Sequence, residues 1–255
     1  MRLDHVVIAV RDLAAASEAL RSAGFDVRYG GRHSGFGTEN AIVRFGLDYL
    51  ELITVHDDAE AERASRRSRE LAVFLRKYEA GLVGFALATH DLDDVARRLR
   101  EVGQDAEGPS PMRRVRPDGI VLEWKLLIPG GVAWRRPWPF FISWALADSE
   151  RLAIERPGVH SVPVLGVAGV SVAIEDLPRA RTIYDAAVGA PVEESPTRLV
   201  FKVGDFRIDL VGPRDPHAPG LDRGPGPFEV GLRRGPSQRA RRGEEILPSV
   251  LFTFE

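Results

Sequence analysis

Two ionisable side chains stand in short apolar segments of the sequence, and this setting predicts a polar site within a folded core. His5 lies in LDHVVIAVRDL (residues 3 to 13), and Glu51 lies in YLELITV (residues 49 to 55). In a β-strand, alternate side chains share a face. In the first segment, one face carries Leu3, His5, Val7 and Ala9, and the other carries Val6, Ile8 and Val10. In the second segment, one face carries Tyr49, Glu51 and Ile53, and the other carries Leu50 and Leu52. An ionisable group on each of two strands, each among apolar neighbours, is typical of a concave polar site.

A Gly-rich segment and an aromatic segment add candidate substrate-binding residues. The segment RHSGFGTENA (residues 32 to 41) carries His33, Thr38 and Asn40, which can orient a substrate carbonyl or carboxylate or, alternatively, cap a hairpin. The segment GGVAWRRPWPFFISW (residues 130 to 144) combines aromatic walls with guanidinium groups, which suits a planar or anionic ligand. Its candidates are Trp134, Arg135, Arg136, Trp138 and Trp144. The alternative is that these residues attach the segment to the C-terminal part of the chain.

Composition excludes several classes of function. The chain of 255 residues has 35 basic and 37 acidic side chains, a formal charge of -2, and therefore no global field that attracts nucleic acid or an anionic membrane. It has 0 cysteines, so metal ligation falls to His, Asp and Glu. A phosphate loop, a Ser nucleophile elbow and an apolar run of about 18 residues are all missing from the sequence. We expect a cytoplasmic protein whose partner is a small molecule, with no nucleic acid and no membrane.

The elements that must position these side chains follow from an internal repeat. The opening segment recurs as LVGFALATHDL (residues 82 to 92) and VAGVSVAIEDL (residues 167 to 177), and each copy has an apolar run followed by an acidic residue and Leu. Asp12, Asp91 and Asp176 fall in register, and each suits a helix N-cap. Apolar residues at helical spacing follow each Asp, and short alternating segments follow each helix. The pattern predicts tandem βαβββ modules.

The predicted fold class is α+β: paired modules form a cupped, partly closed mixed sheet with helices outside. We assign residues 1–147 to two paired modules, with module one at 1–56, a connecting helix at 61–79 and module two at 81–147. A linker spans 148–162, and a third module plus a degenerate fourth spans 163–255. Exposed edge strands in such modules make a homodimer possible.

These segments resemble the vicinal-oxygen-chelate superfamily, which contains glyoxalase I, bleomycin-resistance proteins and extradiol dioxygenases. The segment GGRHSGFGTENAIVRFGLDYLELITV (residues 30 to 55) is similar in particular to the glyoxalase-like domain branch. The resemblance implies a small-molecule site in a cup and a divalent metal ion (Zn, Ni, Mn or Fe), held by a His of a first strand and a Glu of a last strand. Residue by residue, these metal-ligand roles fall on His5 and Glu51.

The repeated copies do not supply the remaining ligands. At the position of His5 the later copies have Gly84 and Gly169, and the position of Glu51 becomes Ile142 or Ser143 in the second copy and Asp209 in the third. A catalytic metal usually has three or four protein ligands. His33, Glu123 and His160 are candidates for a third ligand, but spacing specifies none of them.

Two functions are consistent with these residues. One is a metal-dependent lyase/isomerase or dioxygenase-type enzyme, whose catalytic residues the sequence does not identify. The other is non-catalytic binding of a small molecule without metal, as in resistance-type members of the superfamily. The missing metal ligands favour non-catalytic binding, and the polar site of module one favours the metal-dependent enzyme.

Overall fold

The fold is described from a computed structural model, which covers residues 1–116, 118–130, 134–219, 224–235 and 241–255. The strands are β1 Arg2–Val10, β2 Arg28–His33, β3 Thr38–Arg44, β4 Tyr49–Val55, β5 Ala80–Ala88, β6 Ala106–Val115, β7 Val121–Pro129, β8 Phe140–Trp144, β9 Val164–Ala173, β10 Glu193–Glu194, β11 Arg198–Val203, β12 Phe206–Val211, β13 Gly226–Arg234, β14 Arg241–Leu247 and β15 Val250–Phe254. The helices are α1 Leu13–Ser22, α2 Asp58–Ala64, α3 Arg66–Lys77, α4 Leu92–Glu101, α5 Asp148–Ile154 and α6 Leu177–Val188.

The N-terminal half forms one eight-stranded mixed sheet in the order β2-β3-β4-β1-β5-β8-β7-β6. Strand β1 pairs with β4 in parallel and with β5 in antiparallel orientation, and β5 pairs with β8 in parallel. The sheet therefore consists of two equivalent four-stranded halves joined along β1 and β5. It curls into a half-barrel, and we call its concave face the cup. The predicted α+β fold of tandem βαβββ modules is confirmed.

The C-terminal half repeats this arrangement of strands, but in the part that the structure describes it has one helix, α6, where the N-terminal half has four, α1 to α4. Its seven-stranded sheet has the order β10-β11-β12-β9-β13-β15-β14, with β9 parallel to β12 and antiparallel to β13. Strand β13 in turn pairs with β15 in parallel, as β5 does with β8. Strands β13 to β15 thus occupy the place of a fourth module.

Asp side chains begin the helix of each complete module, as the repeat predicts. Asp12 accepts a hydrogen bond from the Ala15 amide at 2.9 Å, Asp91 from the Asp94 amide at 2.8 Å and Asp176 from the Arg179 amide at 2.9 Å. An N-cap of this kind stabilises a helix by about 1 kcal/mol relative to alanine. The three caps confirm the register of the repeat.

The main core joins the convex face of the N-terminal sheet to side chains of the C-terminal sheet. Val6, Ile8 and Val10 of β1 are buried there together with side chains of α1, α4 and α6 and of strands β9, β11, β12, β13 and β15. Leu50 and Leu52 of β4 join the same cluster, so the predicted division of β1 and β4 into a helix-packed face and a cup face is confirmed for these residues. The convex face is fully occupied by packing, which leaves the cup for chemistry.

The connecting helix differs from its prediction, because it is two helices. The chain is extended at Ser65 (φ -151, ψ 162), whose hydroxyl accepts a hydrogen bond from the Ser68 amide at 3.1 Å and caps α3. Leu71 and Leu75 of α3 are buried against Val7 and Ile53 of the cup. Helix α3 therefore lies across the concave side, while α1 and α4 cover the convex side.

The segment predicted as a linker, residues 148–162, also contains a helix, α5. No helix in the described part of the chain is long and apolar enough to cross a membrane.

Candidate functional site

The cup encloses a cavity of about 150 Å³ between the sheet and helix α3. A cavity of roughly this volume accepts a molecule the size of benzene. Ser68 of α3 lines the cavity, and its other uncharged or ionisable polar side chains apart from arginine come from the strands and the loop of module one: His5, His33, Ser34, Thr38, Asn40 and Glu51. Its aromatic walls are Phe36, Tyr49, Trp124, Trp134, Phe140 and Trp144, and its arginines are Arg67, Arg113 and Arg114.

A β-bulge in β1 sets the orientation of His5. The pairing of β1 with β5 shifts between Leu3, opposite Leu87, and His5, opposite Ala86, which leaves Asp4 as an extra residue. This extra residue breaks the strict alternation of the strand. Leu3 consequently packs in the helix-side core, and the prediction that it shares a face with His5 is wrong. His5 and Val7 line the cavity as predicted.

Asp4 is the residue that fixes the His5 ring. It is fully buried, and its Oδ1 lies 2.8 Å from His5 Nδ1. Its Oδ2 accepts hydrogen bonds from Trp144 Nε1 at 2.8 Å and from Arg151 at 3.0 Å. Burial alone would raise the pKa of Asp4, but the hydrogen bond and charge of His5, together with the charges of Arg151 and Arg2, hold it well below its ordinary value. An ionised Asp4 favours a proton on His5 Nδ1, and Nε2 is then the ring nitrogen that faces Glu51.

The free nitrogen of His5 faces a second anchored group, Glu51. His5 Nε2 lies 3.5 Å from Glu51 Oε2, and Asn40 Nδ2 donates to Glu51 Oε1 at 2.6 Å. The Tyr49 ring stacks on His5 at 4.7 Å between centroids. Gly30 leaves room for this Asn40 side chain, because a Cβ at position 30 would collide with Asn40 Oδ1. His5 and Glu51 are thus both held by neighbours before any ligand binds.

His33 is the second imidazole in the cavity. Its Nδ1 lies 2.9 Å from Thr38 Oγ1, and its Nε2 lies 4.0 Å from Glu51 Oε1. Burial lowers the pKa of His33, and the opposing charge of Glu51 does not reverse the shift. This lowered pKa favours the neutral form of the His33 ring at pH 7.

The distance between His5 and Glu51 suits a divalent metal ion, but the number of ligands is small. Two ligands about 2.0 to 2.1 Å from a tetrahedral ion lie roughly 3.4 Å apart, so the separation of 3.5 Å between His5 Nε2 and Glu51 Oε2 fits two adjacent ligands. Within the described ranges, however, no group of three or more His, Cys, Asp or Glu side chains is arranged to hold a metal ion. The pair fits a divalent ion chemically but supplies only two ligands.

The strand register identifies the counterparts of Glu51 in the other modules. Glu51 pairs with Val7 of β1. Ala86 of β5 and Ser171 of β9 occupy the position of Val7 in the repeat, and they pair with Phe140 and Asp209, respectively. The counterpart in module two is therefore Phe140, and the predicted Ile142 or Ser143 is wrong. The counterpart in the third module is Asp209, as predicted, and Arg198 and Arg207 bind its carboxylate at 2.8 and 2.9 Å.

The remaining candidates for a third ligand lie elsewhere. Glu123 is exposed on β7 and does not line the cavity. His160 binds the Asp26 amide and the Arg44 carbonyl through its two ring nitrogens. Only His33 of the three candidates lines the cavity.

Sequence and structure comparisons agree on the family. The sequence profile of the family described as "Glyoxalase-like domain" matches residues 3–188, which cover module one, module two and the start of the C-terminal sheet. The chain belongs to this glyoxalase-like domain family. Its fold and its structural neighbours fit the vicinal-oxygen-chelate superfamily.

Solved structures share the fold of this glyoxalase-like protein at low identity. A hypothetical protein from Staphylococcus aureus has a TM-score of 0.77 at 17% identity, with 100% of this chain and 98% of that chain covered. A mutant of 4-hydroxymandelate synthase from Streptomyces coelicolor has a TM-score of 0.63 at 15% identity, with 99% and 91% covered. No curated protein matches the sequence. The structural matches establish the fold and not the reaction.

The aromatic segment of the glyoxalase-like protein divides between cavity and scaffold. Trp134 and Trp144 line the cavity, whereas Arg135, Arg136 and Trp138 do not. Arg135 donates to the carbonyls of Leu82 at 3.2 Å, Pro227 at 2.5 Å and Gly224 at 2.8 Å, so it ties the two sheets together. Trp138 packs against the main core. Residues 131–133 of this segment lie outside the described residues.

Three site residues escaped the sequence reasoning. Asp4 precedes His5, but strict alternation places it on the opposite face of the strand. Arg67 lines the cavity from α3, which was predicted only as part of a connecting helix, and Arg114 lines it from β6, a strand that was not predicted. The adjacency of Asp4 to His5 was the one available signal.

Proposed function

We propose that this protein is a divalent-metal-dependent enzyme, of the lyase/isomerase or dioxygenase type, that acts on a small molecule bound in the cup. The observation that carries the proposal is the paired arrangement of His5 and Glu51. An imidazole whose Nε2 is free and oriented lies 3.5 Å from a carboxylate that is itself anchored, inside a cavity of small-molecule size. Such outer hydrogen bonds are typical of metal ligands.

His5 and Glu51 would hold the ion, and their partners would set their geometry. Asp4 accepts from His5 Nδ1 and keeps Nε2 directed towards Glu51, while Asn40 donates to Glu51 and fixes one of its oxygens. When bound, a divalent ion supplies Lewis-acid polarisation of substrate oxygens and, if it is iron, a binding site for dioxygen. His5 and Glu51 would be the two protein ligands, and the other coordination positions would be open to substrate oxygen atoms.

Proton transfer needs a base within the cavity, and His33 is suited to it. The position equivalent to Glu51 in module two holds Phe140, so a second carboxylate is absent there. His33 is neutral because burial lowers its pKa. With Nδ1 donating to the Thr38 hydroxyl, its Nε2 can accept a proton from a bound substrate.

Metal analysis tests the proposal. Protein prepared without an affinity tag is incubated separately with Mn, Fe, Ni and Zn, and its metal content is compared with that of His5→Ala. We expect near-stoichiometric binding of at least one ion, loss of that ion in His5→Ala, and full retention in the control His217→Ala, since the His217 side chain is 66% exposed and outside the cup.

The alternative function is non-catalytic binding of a small molecule without metal, and the small number of ligands favours it. Absence of bound metal after incubation with every ion would reject the metalloenzyme and support this alternative.

A further inference from the structure

Helix α3 brings one arginine, Arg67, to the cavity from the side opposite the sheet. Leu71 and Leu75 hold the helix against the cup, and Trp134 Nε1 donates to the Arg67 carbonyl at 2.7 Å. The Arg67 side chain lines the same cavity as His5 and Glu51. Its backbone position is therefore fixed by packing and by a cavity residue.

Arg67 differs from the other half-buried or buried arginines around the cup in its lack of an ion pair. Arg114 lies 3.3 Å from Glu155, Arg44 3.2 Å from Glu155, and Arg151 3.0 Å from Asp4. In the described part of the structure, the Arg67 guanidinium has no hydrogen bond and no carboxylate within 4.0 Å. Burial lowers the pKa of Arg67, and the charge of Glu107 opposes this shift without forming an ion pair. A half-buried guanidinium without a counterion is costly unless a ligand supplies one.

The surroundings of Arg67 define the rest of the ligand. Leu71, Met112 and Trp134 give the cavity apolar and aromatic walls. Its volume of about 150 Å³ suits a body the size of one ring. A guanidinium group presents its donors in a planar fork that matches a carboxylate in two hydrogen bonds.

We propose that Arg67 binds the carboxylate of the ligand, and that the substrate class is a small carboxylate with an apolar or aromatic body. This inference rests on the proposed function only in that the cup binds a small molecule; it does not depend on the metal. The carboxylate lies at the α3 side of the cavity, and the body of the ligand extends towards His5 and Glu51.

Calorimetric titration with benzoate and its neutral isostere benzamide tests the inference. Because a charge-assisted hydrogen bond is roughly twice as strong as a neutral one, we expect the wild type to bind benzoate roughly ten-fold or more tightly than benzamide. Arg67→Gln should reduce this preference below about two-fold, and Arg67→Lys should keep part of it because the charge remains while the fork is lost. Arg66→Gln is the matched control, since Arg66 is 67% exposed and pairs with Glu70 outside the cavity.

The outcomes separate this inference from the metal proposal. Metal content should be the same in Arg67→Gln as in the wild type, and the preference for benzoate should persist after metal is removed with a chelator. Equal affinity for benzoate and benzamide, or an unchanged preference in Arg67→Gln, would overturn the role of Arg67 even if the cup binds both compounds and the metal. Displacement of benzoate by an equal concentration of inorganic phosphate would overturn the assignment of a carboxylate ligand. Failure of both benzoate and benzamide to bind would overturn the inference and also the proposal that the cup is a small-molecule site.

Discussion

Asp4→Asn is the substitution that most sharply tests how the cup is built. Asp4 is fully buried, and the two closest donors to its Oδ2 are Trp144 Nε1 at 2.8 Å and Arg151 at 3.0 Å, with Arg2 farther away at 3.5 Å. An asparagine can present only one oxygen, so either His5 Nδ1 or these two donors would face an amide nitrogen. Arg151 would keep only Glu155, at 3.1 Å, as its buried counterion. Breaking a buried pair from one side costs about 3 to 5 kcal/mol, and we expect Asp4→Asn to lower the free energy of unfolding by about that amount at pH 7.

The pH dependence of this difference provides an independent check. Because the pKa of Asp4 is lowered in the folded protein, its stabilisation is fully present above the unfolded pKa, near 3.8, and is lost as the pH falls towards the folded pKa. The difference in unfolding free energy between wild type and Asp4→Asn should therefore shrink by roughly 1 kcal/mol between pH 7 and pH 3. Other carboxylates titrate in both proteins and cancel.

Urea unfolding followed by tryptophan fluorescence measures both quantities, because Trp144 contacts Asp4 directly. A destabilisation below about 1 kcal/mol at pH 7, or a difference that does not change down to pH 3, would refute the reasoning that an ionised Asp4 anchors the site.

Two further substitutions follow from the packing of the cup. Asn40→Asp places a second carboxylate beside Glu51 Oε1, which lies 2.6 Å from the amide nitrogen of Asn40. Like-charge repulsion then raises the pKa of the carboxylate pair, so the free energy of unfolding should fall as the pH rises through that pKa. A free energy of unfolding equal to that of the wild type at pH 8, measured by urea unfolding, would contradict this. Leu71→Ala removes a fully buried side chain between α3 and the cup and should cost about 2 to 5 kcal/mol, while Val73→Ala on the exposed side of the same helix should change stability by less than about 0.5 kcal/mol. Equal thermal shifts for these two variants would show that α3 does not pack across the cavity as described.

The sequence predicts the framework of this protein better than the chemistry inside it. Asp12, Asp91 and Asp176 are local signals, because an N-cap needs only a side chain and the next few amides, and all three were correctly placed. The faces of β4 follow from simple alternation, which put Glu51 in the cup. These features depend on neighbours within a few residues in the chain.

The parts that the sequence did not reveal depend on distant contacts. The bulge at Asp4 is a property of the pairing between β1 and β5, and its charge partner Arg151 comes from a segment that reads as a linker. The counterpart of Glu51 in module two was misplaced because the register of β8 depends on its pairing with β5 and not on the local pattern. Arg67 resembles its exposed neighbours in sequence, and only the packing of Leu71 and Leu75 on the cup decides which arginine enters the cavity.

The central claim is that His5 and Glu51 share one divalent ion in the cup, and anomalous diffraction from crystals of the metal-loaded protein tests it directly. We expect an anomalous peak about 2.0 to 2.2 Å from both His5 Nε2 and a Glu51 carboxylate oxygen, and no such peak in crystals of His5→Ala treated identically. A cup without an anomalous peak in loaded wild-type crystals, or metal bound only at exposed histidines such as His217, would contradict it.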